Sequence, residues 1–312
     1  MIVVWLLALV AGLATAAFGS RRAVTAALDA SSASSIPPGI IGLTVMAVGT
    51  DLPELANSIA AAFGGYGDVL VGDAAGSALT QVTLILGLLC LGSTPIHADR
   101  TTVLTVGTLT AAALLVGALL VRDERLTRWE GVFLVAAWGV AIVVIQRRRL
   151  VDHVGVRPPV APGSTARHVA ATIGWLAVVG LAATVVVDSF IELSDRLGVP
   201  ELVASAIVLS LGTSLPELVV DWTAIRRGAV ALAIGDLFGS SLLDATLALG
   251  IGPAMRAVSV SPTAATACII AAMGVTAATV IAGSRPSHGR PSATLLFLVY
   301  AIATLALVVG TT

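Results

Sequence analysis

Charge is scarce in this 312-residue chain. Charged residues make up 11% of it, against about 25% in an ordinary soluble domain. Hydrophobic residues reach 57% and mean hydropathy +1.01, which excludes a soluble globular domain and leaves a polytopic membrane protein. Lysine is absent, so all 17 basic residues are arginine. They form no tract able to follow a phosphate backbone, and the net charge is -1, which argues against a nucleic-acid partner. Cysteine occurs twice, as Cys90 and Cys268 in apolar segments, and reads as small core residues, not as a disulfide or a metal pair. The four histidines, His97, His153, His168 and His288, fall in loops or at the ends of apolar runs, which argues against a zinc or copper site. No phosphate-cradling loop occurs, so a pump driven by ATP is unsupported. The first apolar run, Ile2 to Ala17, lacks the basic stretch that precedes a signal-peptide core. Arg21 and Arg22 follow it instead, which predicts a retained first helix with its N-terminus outside.

A bilayer-spanning helix needs roughly 20 apolar residues. By that measure the sequence predicts ten spans, near 2–27, 37–61, 67–93, 101–121, 129–146, 168–190, 198–225, 229–252, 261–283 and 291–310, punctuated by prolines such as Pro37-Pro38, Pro95, Pro200 and Pro262. The fold class expected is an all-α polytopic membrane protein. The first and sixth segments run on into amphipathic stretches bearing Asp29 and Glu192, so both are expected to be long and tilted. Sorting arginines by alternate loops gives twelve on one side and five (Arg122, Arg125, Arg128, Arg196, Arg256) on the other. The excess predicts a cytoplasmic 147–167 linker and both termini outside, in a cell membrane.

Polar signals recur at one offset. Gly49-Thr50-Asp51-Leu52-Pro53-Glu54-Leu55 returns 163 residues later as Gly212-Thr213-Ser214-Leu215-Pro216-Glu217-Leu218. At the same offset Asp29 meets Glu192, Gly72-Asp73 meets Gly235-Asp236, Gly76-Ser77 meets Gly239-Ser240, and Thr83-Leu84 meets Thr246-Leu247. The expected organisation is therefore a first five-helix repeat over 1–146 (motif region 42–87), a linker over 147–167, and a second five-helix repeat over 168–312 (motif region 205–250). Five spans per half is an odd number, so the halves enter the membrane in opposite senses. Such inverted repeats place transporter sites near the bilayer midplane.

Proline inside each motif removes a backbone donor and frees the carbonyl four residues back, here those of Gly49 and Gly212. Freed carbonyls are tolerated in lipid where they line a polar cavity, and the Thr50 and Thr213 hydroxyls add oxygen ligands. An ionised Glu54 or Glu217 at mid-bilayer costs about 3 kcal/mol, which makes each a functional candidate. The Gly-Asp-x-x-Gly-Ser elements add Asp73, Asp236, Ser77 and Ser240, with Gln81 and Asp244 one helical turn further on. Asp221 follows Glu217 by one turn, although Arg226 and Arg227 could hold it near water. Oxygen ligands with several carboxylates select a hard cation: Ca2+, Na+, or Mg2+ and Mn2+.

The paired Gly-Thr-x-x-Pro-Glu and Gly-x-x-x-Gly-Ser elements resemble the α-repeats of the sodium/calcium exchangers, within the cation/Ca2+ antiporter superfamily and nearest its prokaryotic members. The motifs carrying the resemblance cover about 29–87 and 192–250. It implies exchange of Ca2+ for Na+ by alternating access, without a cofactor, the first and sixth helices sliding against the other eight. It further implies Glu54 and Glu217 as central shared ligands, Thr50, Thr213, Ser77 and Ser240 as oxygen donors, and Gln81 and Asp244 completing the ring, with Glu54, Glu217 and Asp244 as the metal carboxylates. Asp51 stands where the family pattern has Ser, as Ser214 does in the second copy. Gln81 replaces Asn, Asp73 and Asp236 stand at Asn positions, and Asp221 at a Ser position. These extra acids leave open tighter Ca2+ binding, a need for protonation, or H+ as counter-ion.

Two rivals are weaker. Gly65-Tyr66-Gly67-Asp68 resembles a K+ filter but occurs once, whereas a filter needs fourfold repetition, so a cation channel is the distant alternative. The same residues spell the Gly-x-Gly-Asp of an intramembrane aspartyl protease, but no Tyr-Asp partner exists in the chain. The expectation is a Ca2+/Na+ antiporter and not an enzyme, with an H+/Ca2+ antiporter of the same fold as the alternative.

Overall fold

Proline and glycine decide where the helices of this chain break. The computed structural model describes residues 2–34, 36–92, 96–147, 165–196, 214–285 and 287–311. Within them α1 (Ile2–Ser34) runs until Pro37-Pro38 forbids further helix. The bent pair α2 (Pro38–Thr50) and α3 (Leu52–Gly64) follows, then α4 (Gly67–Cys90), α5 (Arg100–Leu120) and α6 (Arg128–Arg147). The second half has α7 (Thr165–Arg196), α8 (Leu215–Arg226), α9 (Val230–Met255), α10 (Thr263–Gly283) and α11 (Arg290–Thr311). Helices predominate because in lipid each backbone polar group must find its partner within the segment.

Among the described residues eight helices are long and apolar enough to cross a membrane, nine when the bent α2–α3 pair is counted as one span. The second expected span, 37–61, is thus two helices bent by 47° at Asp51, because Pro53 sits in the first turn of α3 and denies Gly49 a partner. The seventh expected span starts outside the described residues and continues as α8. Most of the 147–167 linker also lies outside them.

α1 spans 33 residues and α7 spans 32. At 1.5 Å per residue each is about 50 Å long, against a hydrocarbon core of about 30 Å, as expected of long first and sixth helices. They pack along one another, with Phe18 edge-on to Trp175 at 5.6 Å and Gly19 leaving room for Val179. Together with parts of α2, α8 and α9 they form a small apolar cluster around Val24, Met46, Leu176 and Val220. A larger cluster occupies α4, α5, α9 and α10. The backbones of α2 and α9 nearly touch. A Cβ on Gly42 would lie 2.1 Å from the Leu232 carbonyl oxygen, and one on Gly235 2.2 Å from that of Gly39.

The repeat is visible in the local geometry. α3 starts after Asp51 (φ -82°, ψ 10°) and α8 after Ser214 (φ -85°, ψ 6°). Gly65 and Gly228 close the following turns with φ of 78° and 75°, a region other residues seldom enter. α4 and α9 each carry a π-helical turn, Gln81–Ile85 and Asp244–Ala248. Every one of these pairs is 163 residues apart, and Ser241 donates to the Ala78 carbonyl at 2.8 Å across that same separation. At one end β1 (Arg125–Leu126) pairs with β2 (Val258–Ser259), where Asp68 accepts from the Ser261 amide at 2.6 Å and Arg256 donates to the Phe63 carbonyl at 2.6 Å. Elsewhere Ile96 bridges His288.

Candidate cation site

The break at Asp51 and the start of α8 after Ser214 bring the two Pro-Glu motifs together. Asp51, Glu54 and Glu217 each offer one carboxylate oxygen, and the three oxygens lie within 4.8 Å of one another. Their residues are 0%, 1% and 0% exposed. None of their six oxygens has a hydrogen-bond partner. Helix periodicity explains part of this. Asp51 precedes the first turn of α3 and Glu54 lies within it, so both face the interior near the helix N-terminus, where backbone dipoles favour negative charge.

Around them the buried polar residues are those named by the motifs. Gln81 and Asp244 open the two π turns, are fully buried, and leave both amide atoms and both carboxylate oxygens without partners. A π turn widens the helix and recurs at functional sites. Ser77 and Ser214 are buried with unpartnered hydroxyls. The Thr50 hydroxyl donates to the carbonyls of Met46 (3.1 Å) and Ala47 (3.2 Å) and stands 3.4 Å from the Ser240 hydroxyl, linking the first motif to the second half. Gly49 is buried against Leu176 of α7. Gly212 and Thr213 lie outside the described residues.

The accessory acids divide by half. Asp73 is held by the Asn57 amide at 2.6 Å, whereas its counterpart Asp236 is fully buried with both oxygens unpartnered. Asp221 is likewise buried and unpartnered, which removes the reading that Arg226 and Arg227 hold it near water. Its counterpart is Ser58, whose hydroxyl donates to the Ala248 carbonyl (2.5 Å) and accepts from the Gly252 amide (3.2 Å). Sequence reasoning passed over Asn57 and Ser58. Extending the 163-residue match four positions past Glu54 finds Ser58 opposite Asp221.

Six acids are therefore buried, Asp51, Glu54, Glu217, Asp221, Asp236 and Asp244, while no arginine is buried among the described residues. An unpaired buried charge is strongly unfavourable, so the cluster requires positive charge from solution. Carboxylates, hydroxyls and an amide oxygen form a ligand set for hard cations.

Comparison with known proteins fits this chemistry. The family described as "Sodium/calcium exchanger protein" matches the chain twice, over residues 4–146 and 167–309. The chain belongs to the sodium/calcium exchanger family. Similar proteins include the inner membrane protein YrbG of Escherichia coli (30% identical over 256 residues, covering 78% of this chain and 77% of that protein). Another is the sodium/calcium exchanger MaX1 of Methanosarcina acetivorans (26% over 301 residues, covering 84% and 86%). The fold is that of the sodium-calcium exchanger NCX_Mj, with a TM-score of 0.81 and 22% identity over 98% of this chain and 100% of that one. Members of this exchanger family are membrane transporters, a class that moves ions instead of transforming substrates, and this chain is a multi-span protein of the lipid bilayer.

Proposed function

We propose that this exchanger moves Ca2+ in one direction against Na+ in the other by alternating access. The observation that carries this is the convergence of Asp51, Glu54 and Glu217, buried, unpartnered, and drawn from both Pro-Glu motifs. Glu54 and Glu217 are the shared ligands of both ions. Asp51 adds a third carboxylate on the first motif's side, and Asp244, Gln81, Thr50, Ser77, Ser240 and Ser214 complete the oxygen set with the Gly49 carbonyl. Gly212 and Thr213 complete it from the second motif. The two halves, 1–146 and 168–312, are inverted five-helix repeats that make ten spans in all. In a cell membrane the arginine bias puts the 147–167 linker in the cytoplasm and both termini outside.

The long pair α1–α7, with its own small cluster against the larger one, is the element that slides. Its apolar face moving past the site would open it to one side and then the other. The similarity to MaX1, a sodium/calcium exchanger, supports these ions.

Asp221 and Asp236 favour a second reading, exchange of Ca2+ for H+, because six buried acids exceed what one Ca2+ neutralises. Reconstitution into liposomes separates the two. Ca2+ uptake should follow an imposed outward Na+ gradient and not an imposed pH gradient. Uptake driven by the pH gradient alone selects the second reading, and uptake under neither rejects both.

A further inference from the structure

A cavity of about 680 Å3 opens between α1, the end of α4 and α8. Small-molecule sites measure roughly 300–1,000 Å3. Its basic side is Arg21, Arg226 and Arg227, and its apolar side includes Leu88, Leu91 and Trp222. Among the described residues no acidic side chain lines it. α8 ends at Arg226 and turns through Gly228, so the basic side lies at the end of that helix, where the arginine-rich loops are expected to meet the membrane surface. The apolar side faces back along the helices, and Leu91 and Trp222 are 46% and 39% exposed. Two contacts tie α1 to α8 along this wall: the Ser20 and Thr223 hydroxyls meet at 2.9 Å, and Arg227 donates to the Thr25 hydroxyl.

Three arginines at one end of an apolar cleft between helices match a ligand with a phosphate at one end and hydrocarbon at the other. We propose that this cavity binds an anionic phospholipid, its phosphodiester among Arg21, Arg226 and Arg227 and an acyl chain along Leu88, Leu91 and Trp222. A lipid seated there rests on α1 on one side and on α8 on the other, and so bears on the relative position of the two.

Trp222 supplies a direct probe. The purified full chain is reconstituted in phosphatidylcholine vesicles containing either brominated phosphatidylglycerol or brominated phosphatidylcholine, and tryptophan fluorescence is recorded. Trp222→Phe identifies the Trp222 component among the five tryptophans. The expected result is saturable quenching of that component at low mole fractions of brominated phosphatidylglycerol. Each of Arg21→Gln, Arg226→Gln and Arg227→Gln should weaken the preference about fivefold. Equal quenching by both brominated lipids would overturn the proposal, as would a preference unchanged in the triple arginine variant. Relief of quenching by millimolar inorganic phosphate would assign the site to a free anion and overturn the lipid assignment. Wild-type size-exclusion profiles of the variants establish that they are folded, and none of the readouts depends on transport.

Discussion

Asp51→Asn should raise stability in the absence of Ca2+ and shrink the further stabilisation that Ca2+ provides. Three carboxylate oxygens lie within 4.8 Å of one another. At an effective dielectric constant near 20, two unit charges at that separation repel by about 3 kcal/mol, and Asp51 takes part in two of the three pairs. Proton uptake by one carboxyl removes part of that repulsion, which leaves an expected gain of about 1–3 kcal/mol for the amide in the ion-free protein. For chains of 150–250 residues 1 kcal/mol corresponds to roughly 2–4 °C in melting temperature, so a rise of several degrees in chelator is expected. Ca2+ then stabilises the variant less than wild type, which offsets part or all of that gain. Ca2+ at a hundred times its Kd stabilises by about 2.7 kcal/mol, and a tenfold weaker site forfeits about 1.4 kcal/mol of that. The assay is thermal unfolding of detergent-purified protein across a Ca2+ titration, with exposed Asp123→Asn as control. A variant that melts lower than wild type in chelator, or that keeps the full Ca2+ shift, refutes the reasoning.

Other perturbations follow from packing and protonation. Ser58→Ala removes the donor to the Ala248 carbonyl and orphans the Gly252 amide. It should destabilise by about 1–3 kcal/mol, read as a lower melting temperature, while Ser58→Thr, which keeps the hydroxyl, restores most of it. Gly42→Ala drives a methyl group to within 2.1 Å of the Leu232 carbonyl oxygen. Overpacking of this kind costs about 1–3 kcal/mol or more, and a variant with wild-type melting would show that α2 and α9 are not in such close contact. His288, in the loop before α11, is lowered below the ordinary imidazole value of 6.5, chiefly by burial. A depressed imidazole favours folding above that value and opposes it below. Melting temperature should therefore fall as pH drops below about 6.5, and His288→Gln should flatten that part of the profile.

Legibility followed the type of residue. Glycine and proline carry backbone constraints that survive translation into sequence, so the disruption at Pro53 and the 163-residue correspondence could be read in advance, although the 37–61 segment reads in the sequence as one span. Ionisable residues in apolar surroundings were equally plain, which is why each described motif acid is found buried or half-buried. Partnership was not legible. Nothing in composition or spacing separates Asp73, held by Asn57, from Asp236, which has no partner, because the difference comes from the residue on the facing helix. The same limit applied to Asp51. As a replacement for Ser its place was ambiguous, and only the turn that ends α2 sets its carboxylate beside those of Glu54 and Glu217. The π turns at Gln81 and Asp244 left no sequence signal either, since no proline or glycine marks Gln81–Ile85 or Asp244–Ala248.

The central claim is that Glu54 and Glu217 together form the transport site. Its most direct test is radioactive calcium uptake into Na+-loaded proteoliposomes diluted into Na+-free medium, comparing wild type with Glu54→Gln and Glu217→Gln. Wild type should accumulate Ca2+ until the Na+ gradient is spent. Both variants should show no uptake above protein-free vesicles while eluting and melting as folded protein. Sustained Na+-dependent uptake by either variant would contradict the account.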